Sequence, residues 1–181
     1  MLYLHTRYPP IIHRDIKSHN IFITEPSPGN FIAKIGDWGS ARAVALGGSK
    51  TLTHGVGTAC WLAPEVINYA HSSKHSDVFA FGIVLWEMYT RQEVYEGLSA
   101  TQIIAKVAHD NLRPVVPRDC PWAGIMTECW KTVTTIKSCK YLNEHALRTP
   151  MSVLDFTQSW QPWENFTPGA SLRGASRVAL A

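Results

Sequence analysis

An apolar segment between Asp77 and Tyr89 constrains the fold of this chain more than any other feature. Its residues are apolar around the whole circumference of a helix, which is typical of a helix buried at the centre of a domain. The longest uninterrupted apolar run, Val78 to Trp86, is nine residues, about half of the roughly 18 that indicate a membrane span. The segment therefore predicts a central core helix, and no membrane span is expected.

The composition favours one folded domain with reduced cysteines. Of the 181 residues, 45% are hydrophobic, which is enough for a sizeable core. The 17 Lys and Arg residues exceed the 14 Asp and Glu residues by only 3, without charge blocks, so a nucleic-acid partner is not expected. The four cysteines show no C-x-x-C spacing, and no basic leader precedes an apolar stretch at the start. These features favour free thiols and a cytoplasmic location.

Short apolar pieces and turn residues predict the remaining elements. Two small strands at 11–12 and 21–23 surround a loop, and turn residues at 25–30 predict a hairpin that joins 21–24 to 31–35. The glycines, serines and threonines of residues 40–58 predict a long mobile loop. Further helices are predicted at 100–108 and 122–132, separated by two prolines, and residues 158–181 are expected to be loosely ordered.

Four polar residues in the first quarter of the chain form a set suited to phosphoryl transfer. Asp15, Lys17 and Asn20 lie within six residues of one another, and Asp37 follows the predicted hairpin. This reaction needs a carboxylate that accepts a hydroxyl proton, oxygen ligands for Mg²⁺, and a cation that offsets charge on the transferred group. Each requirement has a candidate among these residues.

Three motifs in order identify a family resemblance. The string H-R-D-I-K-S-H-N at 13–20 fits the catalytic-loop signature H-R-D-L-x-x-x-N, and D-W-G at 37–39 and A-P-E at 63–65 follow it. Residues 1–157 thus resemble the C-terminal lobe of the eukaryotic protein kinase catalytic domain. The sequence around these motifs is similar to that of the tyrosine-kinase-like group, which includes the Raf-like and mixed-lineage kinases. Lys17, two residues after Asp15, is what this resemblance leads one to expect in a Ser/Thr kinase.

The resemblance implies a fold, cofactors and partners. The fold would be α+β and kinase-like, mainly α in this lobe, with small β hairpins around the catalytic loop. The activity would be transfer of the γ-phosphate of ATP, with Mg²⁺, to protein Ser or Thr hydroxyls in intracellular signalling. The partners would be protein substrates or other kinases.

The resemblance also implies a role for each matching residue. Asp15 would be the catalytic base and Lys17 would contact the γ-phosphate, while Asn20 and Asp37 would hold the metal ions and Thr58 would hydrogen-bond near the base. His13 and Arg14 would be structural, with Arg14 also able to grip a phosphorylated residue. The other implied roles are phosphorylation sites in the activation loop (Ser49, Thr51, Thr53), a buried ion pair (Glu65 with Arg148) and a brace for the catalytic-loop backbone (Asp77).

Departures from the family pattern raise an alternative. No Gly-rich loop, V-A-I-K lysine or helix with its partner glutamate precedes the catalytic loop, so we expect the N-terminal ATP lobe to be absent and the chain to be a partial domain. The apolar surface thereby exposed would favour self-association, and negligible autonomous catalysis is expected because several charge-stabilising groups are missing together. The alternative function is that of a catalytically inactive kinase-like fragment, or pseudokinase, that acts as a binding module.

Overall fold

The computed structural model describes residues 1–43 and 56–131. These residues form five α-helices and four short β-strands, with 3₁₀ turns at Ser18–Asn20, Trp38–Ser40 and Val56–Trp61. In chain order the elements are α1 (Leu2–His5), β1 (Ile11–Ile12), β2 (Ile21–Ser27), β3 (Asn30–Ile35), β4 (Arg42–Ala43), α2 (Pro64–Tyr69), α3 (Lys74–Thr90), α4 (Ala100–His109) and α5 (Ala123–Cys129).

Helix α3 is the centre of the core, at the position where the apolar segment predicts a helix. It starts three residues earlier than Asp77 because Ser73 caps it: the Ser73 hydroxyl accepts from the N–H groups of His75 and Ser76, and the Ser76 hydroxyl accepts from the N–H of Ser73. This reciprocal capping satisfies N–H groups that the first turn leaves without partners. Ile83 and its two following residues in α3 are at most 1% exposed, so this part of the helix is enclosed by the fold.

Helices α4 and α5 agree with the predicted helices: α5 packs against α3, and α4 packs against α2 and the 3₁₀ segment Val56–Trp61. Ser99 and Gln102 form a second capping box at the start of α4, which buries Ile103 and Val107. The proline-containing segment between the two helices lies across α3, where the Trp86 indole N–H donates to the carbonyl of Val115 at 2.8 Å. The proline-containing segment and α5 thus cover one side of the central helix.

The strands form two separate antiparallel pairs around the catalytic-loop motif. The predicted hairpin is present as β2 and β3, with Ile21 paired to Ile35 and a register irregularity between Thr24 and Ser27. Its turn uses Gly29 at φ 76°, a left-handed conformation that glycine adopts without strain. In the other pair, Ile11 faces Ala43 in β4.

The prediction of a long mobile loop over 40–58, without strand or helix, was wrong at its ends. Strand β4 occupies 42–43, since it can complete the backbone hydrogen bonds of β1, and a 3₁₀ helix begins at Val56. The phosphorylation-site candidates Ser49, Thr51 and Thr53, the residue Arg148 and the tail at 158–181 lie outside the described residues. Within the described ranges, no helix has both the length and the apolar character needed to cross a membrane.

Gly82 allows α5 and the residue after it to approach α3 closely. A Cβ atom at this position would lie 2.6 Å from the Cys129 Cβ and 2.6 Å from the Trp130 Nε1. The Cys129 Cβ is bonded directly to the backbone and cannot withdraw without moving α5, and the Trp130 ring is held close by the same packing. We therefore expect Gly82→Ala to lower the free energy of unfolding by about 1–3 kcal/mol through overpacking, measured by urea denaturation.

The matched control is Gly124→Ala in α5, where a Cβ would meet no atom within 4 Å. Since alanine is the better helix former, this change is expected to be neutral or to stabilise by up to about 1 kcal/mol. Equal effects of the two substitutions would contradict the close packing of α5 on α3.

Candidate active site

The buried carboxylate of Asp77 holds the start of the catalytic-loop motif. Its Oδ2 accepts the backbone N–H of His13 at 2.8 Å, and its Oδ1 accepts that of Arg14 at 2.8 Å. The His5 Nε2 lies 2.9 Å from the same Oδ2. Asp77 is only 1% exposed, so these hydrogen bonds replace the water that the carboxylate has lost.

Arg14 needs such an anchor because its backbone is strained. Its φ is 73°, in the left-handed region that costs a non-glycine residue about 1–2 kcal/mol. The charge-assisted hydrogen bond from its N–H to Asp77 offsets this cost. The chain bends at Arg14, shortly after β1 and directly before Asp15.

The side chain of His13 links the catalytic loop to the D-W-G motif. Its ring is fully buried, and its Nε2 lies 3.0 Å from the carbonyl oxygen of Gly36; since a carbonyl only accepts, Nε2 donates. The ring also packs against Trp38 at a centroid distance of 4.9 Å. Trp38 itself is 47% exposed, so its other face is open to solvent.

Asp15, Lys17 and Asn20 form one hydrogen-bonded cluster. The Asp15 Oδ2 accepts from the Lys17 ammonium at 2.7 Å and from the Asn20 amide at 2.9 Å. The same amide nitrogen donates to the Asp15 carbonyl at 2.8 Å, and the ammonium reaches the Thr58 hydroxyl at 3.4 Å. The other carboxylate oxygen of Asp15, Oδ1, is buried and has no hydrogen-bond partner within residues 1–43 and 56–131.

The hairpin register places Asp37 beside this cluster. Ile21 pairs with Ile35, and the N–H of Gly36 donates to the Asn20 carbonyl at 2.8 Å. Asp37 follows at once, with a left-handed φ of 59° and an exposed side chain. The ladder therefore brings Asn20 and Asp37 to the same end of the hairpin.

The donor set fits a magnesium ion that also binds phosphate. The Asn20 NH₂ group is engaged by Asp15, which leaves its amide oxygen to act as a ligand, and Asp37 offers an exposed carboxylate. Mg²⁺ in proteins is usually bound by one or two such oxygen groups together with substrate phosphates and water. These two residues would hold the ion, which would neutralise charge on the phosphates.

The structure describes one member of the predicted Glu65 ion pair. Arg148 lies outside the described residues, but Glu65 acts electrostatically on the half-buried Arg113, which also lies over the Phe79 ring at 4.9 Å. Burial lowers the pKa of Arg113, and Tyr95 and Glu65 oppose this shift. Arg113 is thus a nearby cation that the motif comparison did not single out.

Sequence reasoning also missed Glu87, near the end of α3. Its Oε1 accepts from the Ser18 hydroxyl at 3.1 Å, and its Oε2 accepts from the Trp61 indole N–H at 2.9 Å. Burial raises the pKa of Glu87 to about 8, although these two hydrogen bonds oppose the shift. The available signal was a single acidic residue inside the apolar segment 78–89.

Comparison with known proteins identifies the family. Residues 1–138 match the model of the protein tyrosine and serine/threonine kinase family. The match covers most of the chain, and it includes the cluster of Asp15, Lys17 and Asn20 as well as Asp37. The chain belongs to this family of phosphotransferases.

The relatives of this chain are named as protein kinases. The chain is 43% identical over 133 residues, 72% of its length, to the Dictyostelium discoideum protein "Probable serine/threonine-protein kinase drkC", of which it covers 17%. It is 35% identical over 150 residues to "Probable serine/threonine-protein kinase drkB" of the same organism, with 83% of the chain and 19% of the relative covered. A Drosophila melanogaster mitogen-activated protein kinase kinase kinase is 38% identical over 139 residues, 73% of the chain and 12% of the relative. The chain therefore spans less than a fifth of the length of these relatives.

The role of Asp77 can be tested by Asp77→Asn. The amide would keep one acceptor oxygen but turn an NH₂ group toward a backbone N–H, so at least one buried donor loses its partner. We expect the free energy of unfolding to fall by about 2–3 kcal/mol, measured by urea denaturation.

Asp110→Asn serves as the control for charge removal, because Asp110 is an exposed residue at the end of α4. It is expected to change stability by no more than about 0.5 kcal/mol. An Asp77→Asn variant as stable as this control would show that the buried carboxylate does not hold the loop.

Proposed function

We propose that the protein transfers the γ-phosphate of MgATP to Ser or Thr hydroxyls of other proteins, and that this chain supplies the C-terminal lobe of the kinase domain. The observation that supports this most is the state of the Asp15 carboxylate. Two donors hold its Oδ2, while Oδ1 is buried without a partner among the described residues. A carboxylate oriented in this way is suited to accept a proton from a substrate hydroxyl.

The neighbouring residues complete the chemistry of transfer. Asp15 would orient and deprotonate the acceptor hydroxyl, and the Lys17 ammonium would neutralise charge on the transferred phosphoryl group. Asn20 and Asp37 would hold the magnesium ion across the phosphates of ATP. Catalysis of this kind depends mainly on positioning and electrostatic stabilisation, which the fixed contacts between Asp15, Lys17 and Asn20 favour.

Two observations support a Ser/Thr acceptor, whereas the tyrosine-kinase-like subgroup is proposed from the sequence resemblance alone. The relatives at 43% and 35% identity are both named serine/threonine-protein kinases. Lys17 stands where the resemblance leads one to expect it in such enzymes, and it contacts both Asp15 and Thr58. Substrate proteins and other kinases would be the partners in signalling.

The extent of the matches supports the proposed lobe. The family model matches 138 residues and the relatives match over 122 to 150 residues, lengths that fall within the 157 residues assigned to the lobe from the motifs. In the described part, α3 is the longest helix and α5 packs against it, while the strands form two short pairs. Ser49, Thr51 and Thr53 remain proposed phosphorylation sites in the loop between D-W-G and A-P-E.

Calorimetry of MgATP binding to the 181-residue chain tests the assignment of the metal ligands. We expect saturable binding by the wild-type chain and by Asp15→Asn, which removes the base but no metal ligand. Asp37→Asn removes a ligand charge and is expected to weaken binding by at least about tenfold. The exposed Asp110→Asn serves as the control.

Because negligible catalysis is expected of this chain alone, a phosphoryl-transfer assay with labelled ATP on a kinase domain that also includes an ATP lobe separates the base from the metal site. Asp15→Asn is expected to lower transfer to protein Ser and Thr by about 10²–10⁴-fold, the range of general base catalysis. Absence of MgATP binding in the wild-type chain would contradict a nucleotide site formed by this chain alone, and would mean that the chain is a fragment that needs the ATP lobe or a binding module.

A further inference from the structure

Helix α3 presents two acidic side chains to the catalytic machinery, and the proposed mechanism uses only the first. Asp77 is in the first turn and Glu87 in the last, about 15 Å apart at a rise of 1.5 Å per residue. Asp77 contacts the start of the catalytic loop. Glu87 contacts Ser18, in the same loop, on the other side of Asp15.

Each oxygen of the Glu87 carboxyl group has one partner, and the two partners belong to different segments. Ser18 lies between Lys17 and Asn20, the residues that hold Asp15. Trp61 lies three residues after Thr58, which contacts Lys17, and its ring packs edge-on against His19 at 5.6 Å. Glu87 therefore touches both chain segments that line the site.

We infer that Glu87 is a positioning residue: through its hydrogen bonds with Ser18 and Trp61 together, it fixes the catalytic loop against the segment that precedes A-P-E. An effect of Glu87 on phosphoryl transfer rests on the proposed function. Glu87 itself touches none of the groups assigned to ATP or the metal, so any such effect is indirect. Its action is transmitted through Ser18 to Lys17 and Asn20, which flank it in the loop.

Protonation of Glu87 changes this junction without removing it. A carboxylate accepts from both donors, whereas the neutral carboxyl group has one O–H that donates to the Ser18 oxygen and one oxygen that accepts from Trp61. Because burial raises the pKa of Glu87 to about 8, the exchange between these two arrangements falls in an accessible pH range.

The other titratable groups around Glu87 change their charge at different pH. Burial, and then Lys17, lower the pKa of His19 from 6.5, while Asp15 opposes this. Burial, and then Glu87 and Glu93, raise the pKa of the Cys60 thiol from 9.0. A transition near pH 8 is thus separated from both neighbours.

The sign of the stability change follows from the raised pKa. A folded-state pKa above the unfolded value means that the stabilising contribution of Glu87 is full below about pH 4.5 and is lost as the pH rises to about 8. The side chain of the Glu87→Gln variant cannot ionise, so this variant does not lose stability through that group as the pH rises. The stability of the wild type relative to Glu87→Gln is therefore expected to fall as the pH rises from about 4.5 to about 8.

The direct test is a pH titration of the ¹⁵N-labelled chain by NMR, without nucleotide. The indole N–H signal of Trp61 is assigned by its loss in Trp61→Phe. We expect this signal and the backbone amide signals of Lys17 and Asn20 to shift together with one midpoint near pH 8. Glu87→Gln is expected to abolish that transition, and the exposed Glu96→Gln to leave it intact.

Two results would overturn the inference. Titration of Trp61 without any shift of Lys17 and Asn20 would mean that Glu87 has a local structural role and does not position the catalytic loop. A titration that persists in Glu87→Gln would assign the transition to another group. Since neither readout involves ATP, both are independent of whether the proposed phosphoryl transfer is correct.

Discussion

The buried carboxylate of Asp77 connects the central helix of the fold to the candidate active site. This group lies on the most enclosed helix of the described structure and accepts the N–H groups of His13 and Arg14. Without it, the strained turn at Arg14 would lose the charge-assisted hydrogen bond from its N–H, directly before Asp15. The core thus does more than stabilise the chain, because its central helix determines where the catalytic loop can lie.

From that anchor, short contacts connect all the proposed catalytic residues. His13 joins the loop to Gly36 through its ring, and the hairpin register brings Asp37 to Asn20. Asp15 is held by Lys17 and Asn20 on one oxygen only. At the far end of the same helix, Glu87 contacts Ser18 and Trp61, so one rigid element supports the loop on both sides of Asp15.

Much of this organisation was predictable from sequence, because strong local signals agree with the tertiary structure. The apolar segment at 77–89 could bury its whole surface only as a central helix, and the turn residues at 25–30 could only reverse the chain. Strand β4 escaped prediction because two residues have no period of their own and become a strand only by pairing with β1. The roles of His5 and Glu87 were also not predictable, since they depend on contacts across 72 and 69 residues of sequence.

Native-state hydrogen exchange at the amides of His13 and Arg14 tests the central role of Asp77 most directly. If the buried carboxylate holds the loop, these two amides should exchange only when the whole domain unfolds, with protection close to that of α3. The amide of Gly29, which donates to the exposed Glu25 at the hairpin tip, should exchange much faster. Exchange of His13 and Arg14 at the rate of Gly29 would contradict the account, because the loop would then open independently of the core.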